Sequence, residues 1–224
     1  VEFKFNTEIL AINTKLDRVS SVTTNSEEIA TEIVVANCDA SLLYGKLLQH
    51  KTAKAQLKKL NRTTPSLAGF ILLLAVAGKT PGIAHHNIWF PADYDAEFDD
   101  IFGKSPKPVA DPTIYACVPD DSQMRPEENT ESWYILVNAP RHDQKMNWDD
   151  QSLRNSYAEL IIQKLADRGV NLQGRIKWQQ VLTPADLEAR YAAPGGSIYG
   201  SSSNGAASAF LRPSNIGPVA GLYL

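Results

Sequence analysis

The sequence predicts an α+β fold with a mixed or antiparallel sheet, and three observations lead to that prediction. Ser66–Ala77 (SLAGFILLLAVA) is almost continuously apolar between a proline and a glycine, which is typical of a buried strand. Gln151–Arg168 carries apolar side chains at helical spacing: Leu153, Tyr157, Leu160, Ile161 and Leu165. Strand-like and helical segments do not alternate strictly, so the middle of the chain lacks the repeating pattern that builds a parallel sheet.

The first 50 residues predict a meander of strands followed by a helix. Apolar and polar side chains alternate in Val1–Asn6, which indicates a half-buried strand. Further strands are predicted at Glu8–Thr14, Val19–Thr23, Glu28–Ile33 and Ile33–Ala36. The last of these is short and wholly apolar, as in a strand buried on both faces. Asp39 is then placed to cap a helix over Ala40–Leu48.

The middle of the chain predicts further strands separated by helices. Thr52–Leu60 is a short basic helix. A glycine-rich turn follows Ser66–Ala77, which is therefore predicted to form a hairpin with Ala84–Phe90. Asp93 is predicted to cap a helix that ends at Gly103. Later elements are strands at Thr113–Val118, Trp133–Asn138 and Arg175–Leu182, the helix at Gln151–Arg168, and a final helix with Thr183 as its cap and Pro184 at its first position.

The charge of the chain argues against a nucleic-acid partner. The 224 residues carry a net charge of −3, so they have no general electrostatic attraction to phosphate backbones. Lys51–Arg62 (KTAKAQLKKLNR) is a local exception. A run of this kind is usually a solvated helix face. The alternative is peripheral contact with anionic lipid headgroups, which requires apolar neighbours.

The cysteine count and the hydropathy pattern predict a cytoplasmic protein. Cys38 and Cys117 are the only cysteines and lie far apart, which favours a reduced protein over a disulfide scaffold. No signal-peptide pattern is visible, and the longest apolar run is too short to span a bilayer. Any membrane association would therefore be peripheral.

No catalytic or metal-binding motif is found in the sequence. The dinucleotide fingerprint G-x-G-x-x-G, the Walker loop and the nucleophile elbow G-x-S-x-G are absent. His85 and His86 are adjacent, and neighbouring residues on a strand point to opposite faces. We therefore expect one inward, partnered histidine and one exposed histidine, and no metal site.

Apolar and aromatic residues on the predicted strands allow two interpretations. They form the core face of the sheet, or they line a tunnel for a long apolar ligand, which needs shape and apolar area with few polar anchors. The sequence does not separate these interpretations. The residues are Phe70, Leu72, Leu74, Ile88, Phe90, Tyr115, Tyr134, Leu136 and Trp178.

The segment Pro194–Leu224 contains two glycine turns and ends in a strand-like apolar run. The chain also begins on a strand-like segment without a lead-in, so we expect it to be a piece of a longer protein. Gly-Gly-x-Ile-Tyr-Gly at 195–200, Ala-Phe-Leu-Arg-Pro-x-Asn at 209–215 and Gly-Leu-Tyr-Leu at 221–224 occur in order. With Asp111-Pro112 and Thr183-Pro184, they resemble the C-terminal part of the phytoene desaturase family of FAD-dependent oxidoreductases. The resemblance covers nearly the whole chain.

The resemblance implies a domain arrangement and a cofactor. Residues 1–50 and 194–224 would be partial segments of a Rossmann-like FAD-binding α/β domain, and residues 51–193 the substrate-binding domain. The pyrophosphate loop would precede Val1, and a second FAD segment would follow Leu224. Gly195, Gly196 and Arg212 are the expected cofactor-binding residues. The expected substrate-binding residues are Phe70, Leu72, His86, Phe90 and Tyr115.

The implied activity is the removal of hydrogen from a carotenoid or related isoprenoid polyene by the full-length protein, with the fragment itself inactive. A carotenoid isomerase, a saturase, and a non-catalytic module that binds apolar or prenyl ligands are alternatives on the same framework. Exposed apolar segments at Val1–Phe5 and Leu222–Leu224 predict that the fragment self-associates.

Overall fold

Ten strands and five α-helices follow one another in the computed structural model, which describes residues 1–125, 127–202 and 212–224. The strands are β1 (Ile9–Lys15), β2 (Arg18–Thr24), β3 (Glu28–Ala30), β4 (Val34–Val35), β5 (Ala68–Ala77), β6 (His86–Trp89), β7 (Ile114–Cys117), β8 (Thr130–Ala139), β9 (Ile176–Leu182) and β10 (Leu222–Tyr223). The helices are α1 (Ala40–Leu42), α2 (Lys51–Leu60), α3 (Tyr94–Phe102), α4 (Gln151–Asp167) and α5 (Pro184–Tyr191). The predicted α+β class with antiparallel pairing is confirmed.

The chain folds into two compact units. The first contains Val1–Ser66, Tyr191–Pro194 and Tyr199–Leu224, and the second contains Leu67–Arg190 and Gly195–Ile198. The sequence-based boundary at residue 50 falls before α2, whereas α2 belongs to the first unit. The reason is packing, since Ala53, Leu57 and Leu60 face the apolar cluster of that unit.

The first unit joins segments from both ends of the sequence. Strands β1, β2 and β3 form an antiparallel meander, and α1 continues into a wider π-helical turn at Leu43–Leu47. Strand β10 pairs in parallel with β4, with Leu222 opposite Val34. Leu222 is fully buried, so only part of the apolar C-terminal run is exposed.

Residues 1–6 correct the sequence-based prediction of a strand. They form no strand, and Val1, Phe3 and Phe5 are almost entirely exposed. Alternation identifies a strand only where a neighbouring strand accepts its hydrogen bonds, and none of the strand pairings found in residues 1–125, 127–202 and 212–224 includes this segment.

The second unit is built on a five-stranded antiparallel sheet in the order β6-β7-β8-β5-β9. Strands β5 and β8 form ten successive residue pairs, from Ala68 opposite Ala139 to Ala77 opposite Thr130. The predicted hairpin between β5 and β6 is wrong, because β5 pairs with β8 and β9 while the short β6 pairs with β7. Strand β8 is as long as β5, so it can satisfy the backbone hydrogen bonds along one whole edge of β5. The four residues of β6 would leave part of that edge unpaired.

The helix caps predicted from the sequence are present. Asp93 accepts hydrogen bonds from the Asp95 and Ala96 amides, both at 3.1 Å, at the start of α3. For α4 the sequence allows either Asp149 or Asp150 near the start, and the structure has Asp150 as the cap. Thr183 caps α5, and the Asp186 carboxylate in turn accepts the Thr183 amide at 2.8 Å. These contacts satisfy amides that a helix leaves without partners at its N-terminus.

A charged cluster around Asp111 ties the loop before β7 to the end of α4. The Asp111 carboxylate accepts hydrogen bonds from Arg168 at 2.7 Å and from the Ala92 amide at 3.2 Å, and Lys164 lies 3.2 Å away. Partial burial alone would raise the pKa of Asp111. The Ala92 and Lys164 hydrogen bonds and the charge of Arg168 outweigh it and hold this pKa below its usual value.

Asp111→Asn should therefore destabilise the fold in a pH-dependent way. The folded pKa lies below the unfolded value of about 3.9, so the ionised carboxylate stabilises the protein at neutral pH and loses this effect as pH falls through the folded pKa. Because Asp111 is partly exposed, we expect a loss of only about 1 kcal/mol near pH 6. In thermal unfolding, the difference in Tm from wild type should shrink below about pH 4.

Asp99→Asn is the control, because it makes the same change in charge at an exposed position on α3. Equal Tm values for the two variants at pH 6, or a difference that is constant with pH, would contradict the role given to Asp111.

Candidate functional site

The pairing of β5 with β8 sorts the side chains of the second unit onto two faces of the sheet. Phe70, Leu72 and Leu74 of β5 point to the face covered by α4, where Phe70 packs against Tyr157 with ring centroids 4.9 Å apart. The opposite side is called the open face. By strand register it carries Ile71, Leu73, Ala75, His86, Ile88, Tyr115, Cys117, Ser132, Tyr134, Leu136, Trp178, Gln180 and Leu182.

The open face exposes large apolar side chains to an unusual extent. Ile88 is 55% exposed, Trp178 53% and Tyr134 36%. Leu187 of α5 packs with Ile71 and Leu182 and covers one part of the face. Ile198 packs against the same cluster, and beyond it Ile88, Tyr134 and Trp178 remain exposed. Exposed apolar surface of this kind usually marks a binding site.

A groove of about 290 Å³ lies on the open face. Its lining residues are Leu73, Leu74, Ala75, Cys117, Pro119, Met124, Ser132, Trp133, Tyr134 and Trp178, none of which is charged. Leu74 and Trp133 border the groove although their side chains are buried in the core. The Ser132 hydroxyl donates to the Met124 carbonyl, which holds the loop after β7 against β8. Met124 is exposed and unbranched, so it can adapt its shape to an apolar ligand.

Aromatic side chains continue from the groove across the sheet. Tyr134 and Tyr115 meet edge to face at 6.4 Å, and Tyr115 stacks on His86 at 6.1 Å. A 2.9 Å hydrogen bond joins His86 Nδ1 to the Tyr115 hydroxyl. Burial, followed by the neighbouring Cys117 thiol, raises the pKa of Tyr115, so the phenol stays protonated at neutral pH. The face is therefore apolar at Trp178 and polar at His86.

The five predicted substrate-binding residues lie in three different places in the structure. Tyr115 and His86 lie on the open face, and their substrate-binding role stays a prediction. Phe90 follows β6 and is 65% exposed, with its ring against Tyr94 of α3, so it lies outside the groove. Phe70 and Leu72 need correction, since both are fully buried on the face that α4 covers. They pack the core and have no surface to offer a ligand.

Sequence reasoning missed several lining residues of the groove. Leu73 and Ala75 were overlooked because every residue of β5 is apolar or glycine, so the sequence of β5 does not show which side is open. Cys117 and Met124 gave no pattern of their own. A usable signal lay in the sequence of β9. Trp178 and Gln180 face the open side, whereas Val181 and, beyond a register shift, Ile176 face the core.

The expectation for His85 and His86 was wrong. The two rings lie 4.5 Å apart instead of on opposite faces. Alternation applies within a strand, and β6 begins only at His86, so the His85 side chain is free of that constraint. Both histidines are exposed, and Cys117 lies beside them.

The two glycines predicted to bind a cofactor are enclosed by the chain itself. Gly195 and Gly196 are buried and have φ values of 64° and 71°. A Cβ on Gly196 would lie 2.1 Å from the Pro184 carbonyl oxygen, and one on Gly195 would lie 2.8 Å from Cβ of Arg141. The glycines thus let three segments of the second unit approach closely, and they do not form an open cradle for a flavin.

Arg212 is exposed, and its cofactor-binding role stays a prediction. The small-residue stretch that precedes it, at residues 203–211, lies outside the described residues. The pyrophosphate-binding parts of a flavin site are therefore not assigned to any described residue of this chain.

The basic run forms α2 and presents its charges to solvent. Lys54, Lys58 and Lys59 are exposed, while the apolar side of α2 is used by the core of the first unit. Among the described residues, no helix combines the length and the apolar composition needed to cross a membrane.

Curated proteins match the sequence, although no protein-family model does. The chain is 29% identical over 225 residues to a 1-hydroxycarotenoid 3,4-desaturase from a Flavobacterium species, covering 99% of this chain and 44% of that protein. It is 32% identical over 206 residues to a 4,4'-diapolycopene oxygenase from a Methylomonas species, covering 89% of this chain and 40% of that protein. It is 29% identical over 221 residues to a zeta-carotene-forming phytoene desaturase from Myxococcus xanthus, covering 96% and 41%. The chain thus spans less than half the length of these relatives.

A solved structure shares the fold. The chain aligns with the crystal structure of an oxidoreductase from Methanosarcina mazei with a TM-score of 0.52. The alignment covers 97% of this chain and 42% of that chain, at 11% sequence identity. At this identity the likeness concerns the fold alone.

The packing role of Gly196 predicts a large effect of Gly196→Ala on stability. A Cβ at this position meets both the strain of positive φ and the Pro184 backbone. Gly174→Ala is a matched control, because Gly174 has φ 72° with nothing within 4 Å of its Cβ position. We expect Gly174→Ala to cost about 1 kcal/mol and Gly196→Ala a further 1–3 kcal/mol or so. Thermal or urea unfolding measures both, and equal losses would contradict the packing role.

Proposed function

Because the chain is a relative of the carotenoid desaturases, as its motifs predicted, we propose that it is the C-terminal, polyene-binding portion of an FAD-dependent oxidoreductase of that kind. Its substrate would be a carotenoid or related isoprenoid polyene. The observation that carries this proposal is the uncharged groove on the open face, bordered by exposed aromatic side chains.

The chemistry of the groove suits a long hydrocarbon. A polyene has no charged group, so its affinity must come from apolar area and shape. Leu73, Tyr134 and Trp178 offer flat and aliphatic surfaces on three neighbouring strands. Five strands at about 4.8 Å spacing make a sheet roughly 19 Å wide, so an extended ligand would contact several strands at once.

The chain's own contribution to the reaction is to bind and orient the polyene and to exclude water from it. A sheet held by continuous hydrogen-bonded pairing is rigid, and a rigid wall fixes which bond of the substrate is presented for reaction. FAD would supply the electron acceptor, as the family resemblance implies. Since Gly195 and Gly196 are enclosed by Arg141 and Pro184, we assign no flavin contact to them.

We further propose that the first unit is part of the flavin-binding domain of the full-length protein. The parallel pairing of β10 with β4 supports this, because Rossmann-like domains are built on parallel strands. The second unit would be the substrate-binding domain, with residue 67 rather than residue 51 as its start.

The relatives allow two reactions on a polyene. Several are named desaturases, and the relative at 32% identity is named an oxygenase. Desaturation removes a pair of hydrogen atoms from the substrate, whereas oxygenation adds oxygen, so the product mass decides between them. An unchanged mass with altered geometry would indicate an isomerase, and a gain of hydrogen a saturase.

Location and association are also proposals. The exposed lysines of α2 support peripheral contact of a cytoplasmic protein with anionic lipid, although the apolar side of that helix is already packed. The exposed side chains of Val1, Phe3 and Phe5 support self-association of the isolated chain.

The main test is turnover of a detergent-solubilised carotenoid precursor by the full-length protein with FAD. Trp178→Ala removes an exposed aromatic surface from the open face and should leave the fold intact. A loss of about 1.4 kcal/mol of apolar contact corresponds to a roughly tenfold rise in KM. Product absorbance, chromatography and mass spectrometry measure the rate and the reaction type.

Tyr191→Ala is the matched control, since Tyr191 is an aromatic residue that is 61% exposed at the end of α5 and does not line the groove. We expect its KM to equal that of wild type. No conversion of any polyene by flavin-loaded protein would refute the proposed function, and equal KM values for Trp178→Ala and wild type would refute the role of the groove.

A further inference from the structure

Two histidines and a cysteine converge at the polar edge of the open face. Potential ligand atoms of His85, His86 and Cys117 all lie within 4.8 Å of one another. The convergence is set by strand pairing, because His86 is directly opposite Cys117 in the β6–β7 register. The Val118 amide donates to the His85 carbonyl at 2.8 Å, which holds the backbone of His85 beside the pair although His85 lies outside β6.

We propose that these three residues bind a Zn²⁺ ion. Two imidazole nitrogens and one thiolate are ligands that zinc prefers, and a tetrahedral site with three protein ligands leaves a position for water. The cluster contains no carboxylate, so it does not offer the oxygen ligands that Mg²⁺ and Ca²⁺ require.

The geometry needs only a small adjustment to hold the ion. Zinc bonds of about 2.0–2.3 Å in a tetrahedron place neighbouring ligand atoms roughly 3.3–3.6 Å apart, so the side chains must close by about 1 Å. Both histidines are exposed and Cys117 is half-buried, so side-chain rotation can supply this movement while the paired backbone stays in place.

Tyr115 is placed to orient one of the ligands. Its hydroxyl lies 2.9 Å from Nδ1 of His86, which leaves Nε2 of the same ring to bind the metal. Histidine ligands commonly make such a second hydrogen bond, which fixes the tautomer and the direction of the ring. Tyr115 is on the neighbouring strand and stacks on the His86 ring, so the ring plane is restrained as well.

The site would lie at the border of the groove, because Cys117 is also one of the groove's lining residues. A metal ion there would add a positive charge at one end of an apolar surface. The zinc site does not depend on the proposed oxidoreductase activity, so each is tested without the other.

The experiment uses the 224-residue chain without a histidine tag, reduced and freed of metal. Zn²⁺ binding is measured by competition with a chromophoric chelator, and Co²⁺ serves as a spectroscopic probe. We expect one ion per chain with a Kd of about 1 µM or tighter. Co²⁺ should give a sulfur-to-cobalt charge-transfer band in the near ultraviolet, which reports ligation by a thiolate.

Cys117→Ser and His86→Ala should each weaken Zn²⁺ binding by roughly tenfold or more, and Cys117→Ser should remove the charge-transfer band. Cys38→Ser is the matched control, because Cys38 is the other free cysteine and lies in the first unit. It should leave both the Kd and the band unchanged.

Three results would overturn the proposal: no stoichiometric Zn²⁺ binding to the wild-type chain, a Co²⁺ complex without the charge-transfer band, or a band that is lost in Cys38→Ser and kept in Cys117→Ser. The wild-type spectrum decides the question by itself if either variant at the site fails to fold.

Discussion

The ladder between β5 and β8 is the interaction on which the candidate site depends. Ten antiparallel pairs leave no freedom of register, and a shift of one residue would exchange the two faces of the sheet. The pairing puts Phe70, Leu72 and Leu74 under α4 with Trp133 and Ile135, where each fully buried large side chain contributes about 1.5–3 kcal/mol. The same register leaves Leu73 and Tyr134 on the open face.

The positions of the helices and strands were more predictable from the sequence than the pairing of the strands. Helix α4, the caps at Asp93 and Thr183, and strands β5, β8 and β9 follow from local patterns that are visible in the sequence. The pairing of β6 with β7 does not, because a short turn after β5 favours a hairpin and only the competing length of β8 rules it out. The prediction of a strand at Val1–Asn6 is wrong for a related reason, because the segment alternates but pairs with no neighbouring strand.

The candidate site was predictable only where a strand alternates. Tyr115, Tyr134 and Trp178 are among the residues for which the sequence allows either a core or a ligand-lining role, and they lie on the open face. The continuously apolar β5 gave no such guide, so Phe70 and Leu72 were assigned to a ligand although they face the core. His85 and His86 were expected on opposite faces because side chains alternate within a strand, but this alternation does not hold at the end of a strand. The glycines at 195 and 196 had a packing role that depends on Pro184 and Arg141, which are distant in sequence.

Contact between the open face and the polyene is tested most directly by site-specific photocrosslinking. The photoreactive amino acid p-benzoylphenylalanine would replace Tyr134 on the open face, and in a separate protein the exposed Glu159 on the solvent side of α4. After irradiation of the full-length protein with its carotenoid substrate, mass spectrometry of the peptides identifies the adduct. We expect a polyene adduct at position 134 and none at position 159. Equal adducts at both positions, or none at position 134 in protein that still turns over substrate, would contradict the contact between the open face and the polyene.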